Sequence, residues 1–233
     1  MDYILNIETS TEICSASVSR GIKTISYREH FIERSHAAIL TNLIADVMKE
    51  SCIEFAQLSA VAVSKGPGSY TGLRIGVSTA KGICFALNIP LISIDTLAII
   101  ADMALENQHS ENKDVLYIPM IDARRMEVYS AVYNKDLTKV RDVEANIIDN
   151  ESFKEFNNKA LVFCGNGSDK CKDVISISDS IFLPNIFPSA KFMTKQTHQK
   201  FINQEFEDVA YFEPYYLKDF IATIPKNKVL GEK

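Results

Sequence analysis

The chain has 233 residues, of which 46% are hydrophobic and 24% are charged, so it is long enough for one large domain or two small ones with a real core. Its formal net charge of −5 argues against a protein whose main task is to grip nucleic acid, since such proteins are more often basic overall. A local basic patch stays compatible with this charge.

The start of the sequence and its cysteines indicate a cellular compartment. We find neither a signal-peptide pattern nor a run of about eighteen apolar residues, so we expect no membrane span. The five cysteines are odd in number and include no C-x-x-C pair. This pattern indicates small buried side chains in a reducing compartment rather than disulfides or a catalytic thiol, and we predict a cytoplasmic protein.

The first half of the chain predicts the order βββαβαβα. Residues 3–8, 13–19 and 22–29 have strand patterns separated by short turns, which predicts an antiparallel meander. A helix follows from Ser35, a candidate N-cap, and its apolar positions cover about half of the helix circumference. A one-sided helix needs an apolar stripe of only about 100°, so this pattern indicates a contact beyond its own domain.

The second half repeats this pattern after a polar linker at residues 107–114. Strands are predicted in "VLYIPMID", "MEVYSAVY" and "KVRDVEANII", then a short helix near "NESFKEF" and a strand in "ALVFCG". A glycine turn in "GNGSDKC" and a helix come next, as a glycine turn does in the first half. We therefore predict a duplicated α/β unit with subdomains 1–106 and 107–233, whose last helix packs back on the first subdomain.

The stretch "KGPGSYTGLRIGVSTAKG" at residues 65–82 places four glycines between a predicted strand and a predicted helix. It fails the P-loop pattern in both registers, and Thr71 stands where a dinucleotide fingerprint needs glycine. Pro67 also removes a backbone N–H from any phosphate cradle. A tight strand-to-helix turn is the favoured interpretation, while an anion at the helix N-terminus stays open.

The helix after this turn carries small residues along one face. Gly72 and Gly76 lie four residues apart, and an interior glycine costs roughly 1 kcal/mol relative to alanine. The spacing therefore indicates that another backbone approaches closely. That backbone belongs either to the same domain or to another subunit.

The glycine stretch resembles the G-P-G-S-[FY]-T-G-L-R-[IV]-G signature of the TsaB (YeaZ) family. The segments "ILNIETST", "IDARRMEVYSAVY" and "EPYYLKD" resemble further family landmarks in the same order, so the resemblance spans nearly the whole chain. It implies a duplicated actin-like ATPase (ASKHA, ribonuclease H-like) fold with two subdomains, each with a mixed sheet and flanking helices.

The resemblance also implies a function. Members take part in making N6-threonylcarbamoyladenosine next to the anticodon of tRNAs that read ANN codons. They are the non-catalytic partner and activator of TsaD, which transfers the threonylcarbamoyl group, and the TsaE ATPase joins the assembly. The chain alone is expected to form a homodimer, to meet tRNA mainly through the complex and to bind no cofactor, with ATP and a metal ion on partner subunits.

The family interface uses the two helices singled out above. This chain departs from the family at the first of them, where "RSHAAILTNLI" has two alanines after the histidine. The residues that we predict for the partner interface are His36, Ile39, Leu40, Leu43, Ile44, Val47, Tyr70, Gly72, Leu73, Ile75, Gly76, Thr79, Ala80 and Ile83.

Catalysis by this chain has little support in the sequence. No two of its four histidines are spaced as H-x-x-x-H, so a metal site is not expected, and each histidine is predicted at the surface or at a cap. Asp122, Arg124 and Glu127 are predicted to form a structural ion-pair cluster. The alternative function is an ATP-dependent small-molecule kinase of the same fold, but the first hairpin turn, "ETSTE", lacks the glycine expected there. A third option is tRNA binding by the lysine-containing tail 216–233.

Overall fold

The computed structural model describes residues 2–31, 36–108 and 114–218. The predicted N-cap Ser35, most of the linker 107–114 and most of the tail 216–233 lie outside the described residues.

The first sheet is formed by the N-terminal part of the chain. Its strands are β1 (Tyr3–Glu8), β2 (Ile13–Arg20), β3 (Lys23–Phe31), β4 (Leu58–Gly66) and β5 (Leu91–Asp95). They lie in the order β3-β2-β1-β4-β5, and the predicted meander supplies the antiparallel pairs. Strand β4 pairs in parallel with β1, and β5 pairs in parallel with β4. Parallel neighbours need a crossover, and helices provide it.

The second sheet repeats this arrangement. Its strands are β6 (Val115–Asp122), β7 (Glu127–Asn134), β8 (Lys139–Ile147), β9 (Ala160–Cys164) and β10 (Ser180–Leu183). Their order is β10-β9-β6-β7-β8, with three antiparallel strands followed by two parallel ones. The predicted duplicated α/β fold is thereby confirmed.

Four α-helices flank the sheets in the described part of the chain. They are α1 (His36–Ser51), α2 (Tyr70–Leu87), α3 (Thr96–Asn107) and α4 (Thr194–Ile202). The helices predicted near "NESFKEF" and after "GNGSDKC" are instead single 3-10 turns, at Lys154–Phe156 and Asp169–Cys171. In both places the turn is too short for α-helical hydrogen bonds to be repeated.

Helix α3 lies between the two sheets. Its residues Leu97, Ile100 and Ala104 pack with the core of the second sheet, whereas Ile99 packs with the first. The predicted boundary between residues 106 and 107 stays a prediction. Helix α3 precedes this boundary in the chain, yet it packs with the core of the second sheet, whose strands follow the boundary.

The C-terminal part of the chain returns to the first sheet. The Ala190 N–H donates to Ser15 Oγ at 2.9 Å, and Ser17 Oγ donates to the Ala190 carbonyl at 2.9 Å. Met193 is fully buried in the same cluster as Ile4. The 3-10 turn Ala190–Met193, which leads into α4, therefore closes the face of the first sheet opposite α1 and α2.

We predict that Met193→Ala destabilises the whole chain by about 2–4 kcal/mol, because a fully buried side chain leaves a cavity when it is truncated. Ile202→Ala is the control, since Ile202 on α4 is exposed, and it should change stability by less than about 0.5 kcal/mol. Chemical denaturation of the full chain measures both. Equal effects would contradict the assignment of the C-terminal part to the first core.

Candidate interaction surface and intersubunit cleft

The glycine loop packs directly on the β1–β2 turn of the same chain. A Cβ at Gly68 would lie 2.4 Å from the Ser10 carbonyl oxygen, and a Cβ at Gly72 would lie 2.1 Å from that of Thr9. At Gly76 the added atom would lie 2.3 Å from Thr9 Oγ1. The close backbone approach that the glycine spacing predicted is therefore made within the subdomain.

Hydrogen bonds fix this contact. The Ser69 N–H donates to the Ser10 carbonyl at 2.7 Å, and Thr9 Oγ1 donates to the Gly72 carbonyl at 2.8 Å. Ser69 is the N-cap of α2 and accepts from the Gly72 N–H at 3.2 Å. The favoured interpretation of the stretch as a tight strand-to-helix turn agrees with this geometry, in which the first amides are capped by the chain itself.

Nine of the predicted interface residues are buried in this chain, and their part in a partner interface stays a prediction. They belong to the core beneath α1 and α2 or to the glycine contact. The nine are His36, Leu40, Leu43, Ile44, Val47, Gly72, Leu73, Gly76 and Ala80. The broad apolar stripe of α1 reflects packing on the sheet, against β2 and β3, and beside α2.

Five predicted interface residues are only half-buried, and they line the edges of the two helices. They are Ile39, Tyr70, Ile75, Thr79 and Ile83. Ile39, Ile75 and Ile83 pack at the margin of the core cluster that contains both helices. The partner interface itself stays a prediction, narrowed to these edges and to the outer faces between them.

The outer faces of α1 and α2 carry small side chains, which on α1 alternate with the exposed Asn42, Asp46, Lys49 and Glu50. We call the small residues the small-residue surface. Its members are Ala38, Thr41 and Ala45 on α1, and Thr71, Ser78, Gly82 and Ala86 on α2. Phe85 projects from the same helix with 84% of its surface exposed. The sequence contains a signal for this surface, because small residues occupy the positions between the apolar ones on both helices.

The far flank of α2 is covered by the C-terminal segment. Lys81 Nζ donates to the carbonyls of Ala210 and Phe212, at 3.1 and 3.0 Å. Arg74 Nε donates to the Tyr216 hydroxyl at 3.2 Å, and the ring centroids of Tyr70 and Tyr216 lie 4.8 Å apart. The segment therefore leaves the small-residue surface as the open side of the helix pair.

The two subdomains meet across a cleft where side chains of this chain bond to one another. Asn166 Nδ2 donates to both carboxylate oxygens of Glu12, at 3.0 and 2.9 Å, and its Oδ1 accepts from the Asp122 N–H at 3.0 Å. A Cβ at Gly165 would lie 2.3 Å from the Met120 carbonyl oxygen. The "GNG" turn thus serves the same close strand-to-turn approach as the first glycine loop.

The predicted ion-pair cluster at the β6–β7 turn has different members from those expected. Lys170 Nζ lies 2.5 Å from Asp122 Oδ1, and Lys218 pairs with Glu127. Arg124 uses its backbone N–H, not its guanidinium, to bond Asp122. The expected pairing with Arg124 is wrong because both carboxylates pair with lysines that are distant in sequence.

Glu8 lies fully buried at the end of β1. Its Oε1 accepts from both the backbone N–H and the hydroxyl of Ser10, each at 2.5 Å. Burial raises the pKa of the Glu8 carboxyl above its ordinary value of 4.5, and the Ser10 hydrogen bonds offset this rise only in part. Such a carboxyl stabilises the turn internally and is not exposed to a substrate.

The predicted roles of the cysteines and histidines are only partly met. Cys14, Cys84, Cys164 and Cys171 are buried, and burial raises the pKa of the Cys14 thiol to about 12, but Cys52 is exposed. His36, expected at the surface or a cap, is buried and donates from Nε2 to the Thr11 carbonyl at 2.8 Å. His109 lies outside the described residues.

The described residues include neither a cluster of metal ligands nor a candidate membrane span. No three His, Cys, Asp or Glu side chains converge there on a point where a metal ion could be held. None of the helices in this part of the chain has both the length and the apolar character needed to span a bilayer.

Comparison with known proteins shows the family to which this chain belongs. The family model described as "TsaD: tRNA N6-adenosine threonylcarbamoyltransferase" matches residues 30–226. The tRNA threonylcarbamoyladenosine biosynthesis protein TsaB of Escherichia coli is 28% identical over 227 residues, which cover 94% of this chain and 96% of that protein. The chain belongs to the TsaB (YeaZ) branch of the TsaD family.

Other relatives agree with this placement. The TsaB protein of Haemophilus influenzae is 36% identical over 127 residues, so the match covers 54% of this chain and about half of the relative, 51%. A solved structure of YeaZ from Pseudomonas aeruginosa has a TM-score of 0.81 at 24% identity, over 93% of this chain and all of that one, 100%. The structural likeness shows that the two-subdomain TsaB fold is shared.

We predict opposite effects for two glycines of α2. Gly72→Ala should destabilise the chain by about 2–3 kcal/mol, because its Cβ would overlap the Thr9 carbonyl. Gly82→Ala should stabilise it by about 0.5–1 kcal/mol, because nothing lies within 4 Å of the new atom and alanine favours the helix. Thermal and urea unfolding measure both. Loss of stability at both positions would argue that the glycines serve the helix in some other way.

We also predict a pH dependence from Glu8. Because its native pKa is raised, the stability it contributes is fully present below about pH 4.5 and is lost as the pH rises through the native pKa. Glu8→Gln removes this ionisation, so its unfolding free energy should fall less than that of the unaltered chain between pH 4.5 and 8. Urea titrations at several pH values measure the two curves. Parallel curves would show that Glu8 ionises equally in both states.

Proposed function

We propose that this chain is a non-catalytic partner subunit of a TsaD-type transferase, which forms N6-threonylcarbamoyladenosine next to the anticodon in tRNAs that read ANN codons. The small-residue surface carries this proposal. Small side chains on two adjacent helices allow partner helices to approach closely, and the single exposed Phe85 supplies an anchor. Relatives named tRNA threonylcarbamoyladenosine biosynthesis protein TsaB support the pathway.

The non-catalytic role is supported by the state of the two cleft carboxylates. Glu8 is buried against Ser10, and Glu12 is bonded to Asn166. A kinase of this fold would need an acidic group of this turn available to its substrate, and neither carboxylate is free. We therefore place the transfer chemistry, with its ATP and metal ion, on partner subunits.

The partner set follows from the likeness to TsaB proteins, and the small-residue surface is the proposed docking site. TsaD is the proposed occupant in the assembled enzyme, and a second copy of this chain occupies the surface when TsaD is absent. The TsaE ATPase joins the pair, tRNA is met mainly through the complex, and the assembly works in the cytoplasm. Since one surface serves both pairings, addition of TsaD should dissociate the homodimer.

Phe85→Asp tests the docking surface. A charge at an exposed anchor should weaken association with TsaD by roughly 30-fold or more, the scale of a hot spot, without unfolding the chain. Sedimentation measures association with the TsaD of the same organism. Transfer of the threonylcarbamoyl group to tRNA is followed in the same samples.

Val140→Asp is the matched control, because Val140 is 50% exposed on β8 of the second sheet, away from α1 and α2. It should leave association and transfer unchanged. Full association of the Phe85 variant would remove the support for this surface. ATP turnover by this chain alone would instead favour the kinase.

A further inference from the structure

The turn between β6 and β7 presents two adjacent arginines on an unusual backbone. Arg124 has φ +74° and Arg125 has φ +49°, and both side chains are exposed. Both residues lie in the left-handed region, where a hairpin turn of this kind normally places Asn or Gly. We call these two residues the arginine tip.

Hydrogen bonds hold the arginine tip in place. The Arg124 N–H donates to Asp122 Oδ1 at 2.7 Å, and the Glu127 N–H donates to the Arg124 carbonyl at 3.1 Å. The Ile148 N–H donates to the Met126 carbonyl at 2.9 Å, which ties the turn to the segment after β8. The two guanidinium groups therefore project from a braced platform.

The charges of the arginine tip are not neutralised by the described residues. The nearby carboxylates are already engaged, Asp122 by Lys170 and Glu127 by Lys218. Glu12, across the cleft, accepts both hydrogen bonds from Asn166. Among the described residues no carboxylate lies within ion-pair distance of either arginine, so a net positive point stands out on a chain whose overall charge is −5.

A basic and aromatic ridge continues from this point toward α2. Lys218, paired with Glu127 beside the turn, lies two residues after Tyr216. Tyr216 packs on Tyr70, and the Arg74 guanidinium lies 4.2 Å from the centre of the Tyr70 ring. Alternating cations and aromatic rings are typical of surfaces that follow a nucleic-acid backbone.

We propose that the arginine tip contacts the phosphate backbone of the tRNA while the small-residue surface is docked on TsaD. This proposal rests on the proposed function, and it names a substrate contact made by the non-catalytic subunit. Guanidinium groups match phosphate oxygens bidentately, and two of them side by side span neighbouring phosphates. The tip is polar and belongs to the second sheet, whereas the protein-docking face belongs to the first.

The test uses the double variant Arg124→Gln with Arg125→Gln in the complete transferase assembly. The probe is an unmodified tRNA that reads an ANN codon, titrated at several salt concentrations. The KM for tRNA should rise about tenfold, with kcat at saturating tRNA unchanged. Because each lost phosphate contact removes about 0.7–0.9 from the slope of log K against log salt, the slope should fall by about 1.4–1.8.

Three variants separate charge from folding. Arg124→Lys with Arg125→Lys keeps the charge and should keep most of the salt slope. Arg124→Gly with Arg125→Gly relaxes the backbone, so it should raise the melting temperature and still lose tRNA affinity. Lys135→Gln with Lys154→Gln removes the same charge elsewhere on the second subdomain, and it should change neither KM nor slope.

Two results would overturn the proposal. An unchanged KM and salt slope in the glutamine variant would show that the tip does not meet RNA. Weaker association with TsaD at an unchanged slope would assign the tip to a protein contact. Failure of the proposed function is seen separately, as wild-type protein that does not associate with TsaD at all.

Discussion

The structure depends on one steric constraint, the approach of the β1–β2 turn to the first turns of α2. The carbonyls of Thr9 and Ser10 occupy the space that side chains at Gly72 and Gly68 would fill. Backbone packed on backbone leaves little room for adjustment, so a side chain at either glycine would force α2 to move on the sheet. Under the proposed function, this contact sets the height at which the outer face of α2 meets a partner.

A glycine turn packed closely on a strand recurs in the second half of the chain, and the two turns contact each other. Gly165 approaches β6 as closely as the first glycine loop approaches the end of β1, with 2.3 Å between an added Cβ and the Met120 carbonyl oxygen, and Gly167 packs beside it with a shortest distance of 2.9 Å. Asn166 then spans the cleft to Glu12, so the two turns are bonded to each other. The polar side chains at this contact between the two halves of the chain therefore satisfy one another.

The sequence predicts the sheets better than it predicts the surface. Alternating patterns locate the three meander strands of each half, because period-two alternation is a local signal. The strand β10 escapes prediction, and the predicted return of the chain to the first subdomain does not identify Met193 as the side chain that packs there, since both depend on contacts with residues more than ten positions away. The glycine loop is readable as a tight turn, yet its partner, the Thr9 and Ser10 carbonyls, is visible only in three dimensions.

The burial of nine predicted interface residues has a physical cause. A helix that packs on a sheet and beside a second helix buries two adjacent stripes, so an apolar arc of half the circumference does not require another subunit. Leu40 and Val47 accordingly lie in the core, while Ala38 and Ala45 face outward. Surfaces for close helix contact consist of small residues that are neither strongly apolar nor strongly polar. Their pattern is visible only once the apolar residues of the core have been identified.

The arginine tip is one of several places where a side chain stands on a left-handed backbone. This chain has positive φ at Gly66 and Gly165, and also at eight of its described non-glycine residues. At Arg124 and Arg125 it places long charged side chains on the same kind of backbone, although glycine would hold the turn with less strain. The guanidinium groups form no ion pair with the described residues, whose nearby carboxylates are held by Lys170 and Lys218. Under the proposal above, the two charges would instead face phosphate oxygens of the bound tRNA, which a guanidinium group matches with two parallel hydrogen bonds.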